Sequence, residues 1–289
     1  MTSQFGQIAF VVWRESAEAL LVIGILNAWL AKQTDDPQAP RARRFLWSGV
    51  VAGLLVAIGL GAVLLGFAEF LSDHGQEYFQ TGMVLVAAAL IVQMVFWMRK
   101  HGRTLKRDLE SGMQETLAAA NWWGLFILAL LAVAREGSET VVFLYGILAG
   151  GSGEGLGATL GAIAGGLAFA TLTYWLLQVG SRLISWRRFF KVTEIMLLLL
   201  AGALILNGAN HLVSLGVLPF SGRPLWDTSR LLDDTGVIGG LVSALTGYRA
   251  RPDLLDAAVL FGYWTLMLLA LNRNGHTRAA KPNAQVSHA

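Results

Sequence analysis

The sequence has no cysteine, few charges and little proline. Of 289 residues none is Cys, 14% are Asp, Glu, Lys or Arg, and Pro occurs 6 times. Without cysteine there is no disulfide framework, no thiolate zinc site and no thiol nucleophile. The shortage of charge excludes more. A soluble chain carries about 25% charged residues, whereas this one is 55% hydrophobic with a mean hydropathy of +0.55. In water it would expose large apolar patches. That excludes a soluble enzyme, a disordered protein and a nucleic-acid binder. The net charge of +3 comes mostly from Lys and Arg in polar connectors and calls for no nucleic-acid partner. Met1–Gln7 has no basic residue before the first apolar run, so no cleaved leader is expected.

Long apolar runs are abundant. A helix crossing lipid needs about 20 such residues, and seven segments qualify: Phe5–Ala31, Phe45–Leu71, Phe79–Met98, Trp122–Ala149, Leu156–Val179, Phe189–Leu215 and Leu254–Leu271. The expected fold class is an all-α integral membrane protein of seven transmembrane helices. Proline is absent from all seven segments, and the pairs Gly49/Gly53 and Gly161/Gly165 have a spacing that lets helices pack closely. Connectors on one side hold 16 Lys and Arg and those on the other hold 4. Because basic loops stay in the cytoplasm, the N-terminus is expected outside and the C-terminus inside. The long connector Gly216–Asp253 then lies outside, and residues 273–289 form a flexible cytoplasmic tail. Trp29, Trp47, Trp97, Trp122, Trp123 and Trp186 fall near segment ends and read as interfacial anchors. The charged stretch Arg99–Glu115 reads as a solvated connector or a surface helix.

Two segments break the apolar pattern. The first contains Arg14, Glu15 and Glu18, and the fourth contains Arg135, Glu136 and Glu139. Six charges near the bilayer centre carry a gross insertion penalty of roughly 15–20 kcal/mol, so something must offset it. Both sets read Arg-Glu-x-x-Glu. At about 100° per residue the three side chains share one face of a helix, with Arg and the second Glu at i, i+4. The expected topology runs the two helices in opposite directions. Each opens a group of three segments, residues 5–98 and 122–215, and leaves a seventh, 254–271. This is the pattern of a 3+3 inverted repeat with its substrate site at the midplane.

Two Arg and four Glu give the site a net charge of −2 when all are ionised. An arginine can brace one carboxylate in each motif and leave the other for a multivalent cation. Carboxylate oxygens suit hard cations, ferric iron among them. The competing reading is an ion-pair network that only locks two helices together. It accounts poorly for the surplus acid in each motif. Other polar residues are accessory candidates. Glu69, Asp73 and Glu77 follow at i, i+4, i+8 and would form an outward acidic stripe. Glu194 marks an exit path or reaches the interface. His211 is a ligand, a proton carrier or a hydrogen-bonded structural residue. Asp227, Asp233 and Asp234 in the long connector are solvated or hold a cation or partner.

At these residues the chain resembles the oxidase-dependent iron permeases of yeast and bacteria. The resemblance rests on Arg14-Glu15-Ser16-Ala17-Glu18 and Arg135-Glu136-Gly137-Ser138-Glu139, paired in the first and fourth segments. It extends to Phe96-Trp97-Met98-Arg99-Lys100-His101-Gly102, Trp226-Asp227-Thr228-Ser229, and Gly247-Tyr248 with Pro252. The first motif has Ser16-Ala17 where the family often has Gly. The resemblance implies a seven-span permease of the inner membrane that is not an enzyme and holds no permanent cofactor. It would import iron as substrate, as the ferric ion after oxidation outside. Glu15, Glu18, Glu136 and Glu139 would carry the ion, supported by Arg14 and Arg135. The expected partners are iron, membrane lipid and a separate periplasmic oxidase, cupredoxin or iron-delivery protein.

Two transport alternatives keep the fold and change the cargo to ferrous iron or manganese, which hard oxygen ligands also accept. An intramembrane metalloprotease would need His-Glu-x-x-His on a helix, which the sequence lacks. A two-histidine haem site would need paired His in the segments, and only His211 lies in one.

Overall fold

The computed structural model describes residues 2–31, 39–101, 122–150, 155–179, 186–219 and 222–279. Among them lie eight helices and no strand: α1 Thr2–Ala31, α2 Ala39–Glu69, α3 Asp73–His101, α4 Trp122–Ala149, α5 Leu156–Val179, α6 Trp186–Ser214, α7 Val237–Thr246 and α8 Leu254–Ala279. Helices α2, α3, α5, α6 and α8 are long and apolar enough to cross a membrane. The other two long helices, α1 and α4, differ in carrying three mid-helix charges each. What sets them apart is the pair of motifs itself.

Contacts fix the relative directions of α1 and α4. Gln4 Nε2, at the start of α1, donates to the Ile147 carbonyl near the end of α4 at 2.9 Å. Leu26 and Leu30, near the end of α1, cluster with Leu125 and Ala129 at the start of α4. The two motif helices are therefore antiparallel. Each half also places its second helix on the other half's first, α2 on α4 and α5 on α1. A Cβ on Gly53 would lie 2.9 Å from the Leu130 carbonyl and 2.8 Å from Val133 Cβ. On Gly166 it would lie 2.8 Å from the Ala9 carbonyl and 2.9 Å from Val12 Cβ. Ala9 and Val12 stand as far before Arg14 as Leu130 and Val133 stand before Arg135. The halves thus share one crossing contact in one register. Gly49 packs closely on α4 as its spacing suggests, but Gly165 has open space around it. One residue further round the helix, Gly166 faces α1 instead.

The pairing is not fully symmetric. Helix α3 packs on α4, but α6 makes no comparable contact with α1; α7 stands between them and touches both. This helix lies in the connector read from sequence as a loop. Its ten mostly apolar residues are too few to span lipid and packed enough to fold against α1 and α6. Gly247 closes it in the left-handed region (φ 75°) and donates to the Ser243 carbonyl. At Gly239 any Cβ would collide with the Asp233 carbonyl.

The main core joins α1, α3, α4 and α6 through Val11, Ile91, Phe143 and Leu204, all fully buried. Helices α2, α5 and α8 turn large apolar side chains outward, among them Leu55, Ile58, Phe169, Trp175, Phe261 and Leu266. Helix α8 is fastened to α6 by Tyr263 Oη, which donates to the Leu198 carbonyl at 2.7 Å. It continues to Ala279, past the start expected for the tail. The expected surface helix Arg99–Glu115 falls within the described residues only as far as His101, where it prolongs α3; residues 280–289 also lie outside them.

Candidate metal centre

Both motifs sit midway along their helices, and the antiparallel crossing brings them face to face. Glu15, Glu136 and Glu139 each offer a carboxylate oxygen, and the three oxygens lie within 4.8 Å of one another. Glu15 and Glu136 are buried, and Glu139 is partly buried. Glu18 is outside this group of three but close enough to Glu136 to act on it electrostatically.

The arginines divide their work unequally. Arg14 is fully buried and holds both acids of its own motif. Its Nη1 donates to Glu15 Oε1 at 2.7 Å, and its Nη2 lies 2.5 Å from Glu18 Oε1. The second contact is short enough for an ion pair but lacks the alignment of a hydrogen bond. Arg135 Nε donates to Glu139 Oε1 at 3.0 Å. No ion pair among the described residues includes Glu136. The expected division of one braced and one free acid per motif holds in the second motif and fails in the first. Arginine 14 lies between its two glutamates and reaches both.

Among the described residues five buried carboxylate oxygens have no hydrogen-bond partner, and four of them belong to the motifs: Glu15 Oε2, Glu18 Oε1, Glu136 Oε2 and Glu139 Oε2; the fifth is Asp256 Oδ1. Each unmet buried acceptor costs about 1–3 kcal/mol, and a charged one costs more. Glu18 Oε1 is in ion-pair contact with Arg14, whereas Glu136 is in no ion pair among the described residues. Three of the four glutamates converge, and carboxylate oxygens are the donors that hard cations take.

The remaining arginine contacts come from one turn of α3. Met94 Sδ accepts from Arg14 Nη1 at 2.6 Å, and Met98 Sδ accepts from Nη2 at 2.8 Å. The Arg135 guanidinium carbon lies 3.9 Å from the Trp97 ring centroid. Sequence position suggested an interfacial anchor at Trp97; in the structure it carries an arginine. Methionines on an apolar helix gave no separate signal, although Trp97 and Met98 lie within one of the stretches that carried the resemblance.

Near the start of α1 a polar cavity of about 210 Å³ is lined by Gln4, Gln7, Ile147, Asn207, Asp234 and Arg249. Arg249 Nη2 donates to Asn207 Oδ1 at 3.0 Å. An adjoining hollow of about 240 Å³ includes Asn210 and His211. His211 is thus placed at the adjoining hollow and outside the carboxylate group. One helical turn from Gln7, Ile147 and Asn207 toward the motifs come Val11, Phe143 and Leu204, each with no exposed surface. Along α1 and α4 this apolar layer lies between the cavity-lining residues and the motifs.

The other accessory candidates separate. Glu69 ends α2 and Asp73 begins α3, so a turn interrupts the expected acidic stripe, and all three acids are exposed. Glu194 forms an ion pair with Arg99 that clips α6 to α3. In the long connector, Asp227 accepts from Ser229 and Arg251, and Asp233 accepts from Thr235. These hydrogen bonds hold both aspartates below the ordinary carboxylate range.

The iron permease FTR1 family matches residues 6–272. The chain belongs to that family. Its FTR1 relatives include a protein named ferrous iron permease EfeU from Escherichia coli O157:H7, 30% identical over 90% of this chain and 92% of that protein. The protein of that name from Escherichia coli O6:H1 is 29% identical over the same shares. The one from Yersinia pestis is 28% identical over 88% of each. No solved structure matches the chain. An FTR1 chain of this kind is a permease of the membrane, and its long apolar helices agree with that.

Proposed function

We propose that this protein is a seven-span iron permease of the inner membrane whose ion passes through the carboxylate group between α1 and α4. One observation carries the reading. Glu15, Glu136 and Glu139 converge from antiparallel helices, with unsatisfied oxygens and a surplus of negative charge. In this reading α1–α3 and α4–α6 form the inverted repeat, α8 is the seventh span, and the outward side chains of α2, α5 and α8 face lipid. The N-terminus lies outside, so the Gln4–Arg249 cavity is the outer mouth. Glu18 receives or passes the ion beside the group of three. Iron is a substrate and no cofactor is resident. Hard oxygen donors suit ferric iron delivered by a separate periplasmic oxidase, cupredoxin or other iron carrier.

A second reading keeps the site and moves ferrous iron, which the names of the relatives favour. The test is uptake of radioactive iron by cells expressing wild type or Glu136→Gln, with ferric citrate and with iron kept reduced by ascorbate. Loss of uptake at normal membrane abundance supports the carboxylate route, and the preferred supply identifies the oxidation state. Wild-type uptake by Glu136→Gln refutes the route.

A further inference from the structure

One turn of α3 touches both motif arginines, and none of its three contacts is an anion. Each terminal nitrogen of Arg14 has one carboxylate and one sulfur: Nη1 has Glu15 and Met94, and Nη2 has Glu18 and Met98. Arg135 is likewise shared, between the Glu139 carboxylate and the face of Trp97. Met94, Trp97 and Met98 lie at i, i+3 and i+4 and so on one helix face.

We propose that Met94, Trp97 and Met98 are positioning residues for iron transport, forming a neutral cradle that keeps both arginines when the ion takes their carboxylates. This rests on the carboxylate route proposed above. A cation arriving among Glu15, Glu136 and Glu139 competes with the guanidiniums for the same oxygens. Arginine keeps its proton, and Arg14 is fully buried while Arg135 is 38% exposed, so the charge of Arg14 above all must keep acceptors as the carboxylates are withdrawn. An acidic acceptor would bind the arginine too firmly and add another anion to compete for metal. Thioether sulfur and an indole face are weak, polarisable acceptors. They suffice to hold the arginine and are too weak to draw it from a carboxylate in the empty site. The cradle therefore matters most when the site is loaded. Removing it leaves the empty protein its ion pairs and deprives the loaded protein of the arginines' remaining partners.

The experiment uses the full-length protein in cells and in detergent. Met94→Leu with Met98→Leu conserves volume and removes both sulfurs; Trp97→Leu removes the ring. Met94→Gln with Met98→Gln restores a stronger acceptor, and Trp97→Phe restores an aromatic face. The leucine variants are expected to raise the KM for iron about tenfold, as loss of one arginine contact would, while uptake at saturating iron and the iron-free melting temperature stay near wild type. The Gln and Phe variants are expected to recover most of the lost affinity. A wild-type KM in the leucine variants overturns the proposal. So does a KM defect that the Gln and Phe variants share in full, because the cause would then be packing. If the double leucine variant does not reach the membrane, Met98→Leu against Met98→Gln decides by the same comparison. Glu136→Gln is run beside them. Normal uptake there means the carboxylate route has failed; lost uptake there with unchanged KM in the leucine variants means the cradle alone has failed.

Discussion

Glu136 has a property that separates a transport site from a structural lock. It is 8% exposed, and no arginine among the described residues pairs with it. Its neighbours in the group are two other carboxylates with oxygens within 4.8 Å. At an effective dielectric of about 20, two negative charges at that distance repel by about 3 kcal/mol. Replacing Glu136 by Gln removes this repulsion and strands no cation. The metal-free protein should then melt at the wild-type temperature or higher, the gain shrinking toward zero to the extent that the three acids share protons. Glu15→Gln works in the opposite direction. It breaks a 2.7 Å ion pair between two almost fully buried side chains, and losing one partner of a buried pair costs about 3–5 kcal/mol. Arg14 keeps Glu18, which places the cost at the lower end of that range.

The assay is thermal unfolding in detergent, with and without iron, beside uptake in cells. Saturating a site to about 100 times its Kd stabilises the folded state by about 2.7 kcal/mol. Wild type should therefore gain stability with iron and Glu136→Gln should not, while its uptake falls by about tenfold or more. A lower melting temperature for iron-free Glu136→Gln would show that Glu136 is a structural partner. Together with normal uptake it would refute the reasoning from charge.

Three further outcomes follow from the packing and the connector. Gly53→Ala and Gly166→Ala each force a Cβ within 3.0 Å of a backbone carbonyl and a neighbouring side chain; both should lose about 1–3 kcal/mol in thermal unfolding, with Gly165→Ala near wild type. Phe143→Ala opens the buried layer below the cavity; it should cost about 3–5 kcal/mol of stability and, in protein that still folds, admit a membrane-impermeant thiol reagent to a Cys introduced at Glu139. Hydrogen bonds from Ser229 and Thr235 hold Asp227 and Asp233 below the usual range, so the stability they give the connector is present above the unfolded aspartate pKa of about 3.9 and is lost only as pH falls through the lower folded values. Limited proteolysis of the connector should therefore be unchanged between about pH 7 and pH 5, and Asp227→Asn should make it more susceptible across that range.

Much of the fold was legible because lipid-length apolar runs and mid-helix charges are both local signals. The long helices fall on the seven predicted segments, and the Arg-Glu-x-x-Glu spacing alone pointed to the residues that converge. What sequence pattern missed depends on rotation about a helix axis or on partners distant in sequence. Gly166 replaces Gly165 because one residue turns the contact by about 100°. The acidic run Glu69–Glu77 looked continuous because its spacing is helical, but the chain turns between α2 and α3. Trp97 sits where interfacial tryptophans sit, and only the approach of α4 gives it Arg135. Helix α7 was hidden because ten mostly apolar residues between Gly236 and Gly247 are too few for a span.

The unequal halves have a consequence for transport. A repeat in which every contact were duplicated would pack α6 on α1 as it packs α3 on α4, and would close both sides of the crossing alike. Here α7 takes the place of the α6–α1 contact, and the polar cavity opens beside it, lined by Gln4 and Gln7 of α1, Asn207 of α6 and Ser243 of α7. The separating layer of Val11, Phe143 and Leu204 belongs to α1, α4 and α6 and not to α7. Helix α7 is short and packs on both α1 and α6. Motion of α7 would change the cavity first, and the apolar layer would yield only when α1 or α6 followed. On the route proposed above the mouth and the apolar layer are distinct structural parts, and an ion would lose water among polar side chains before it met the carboxylates.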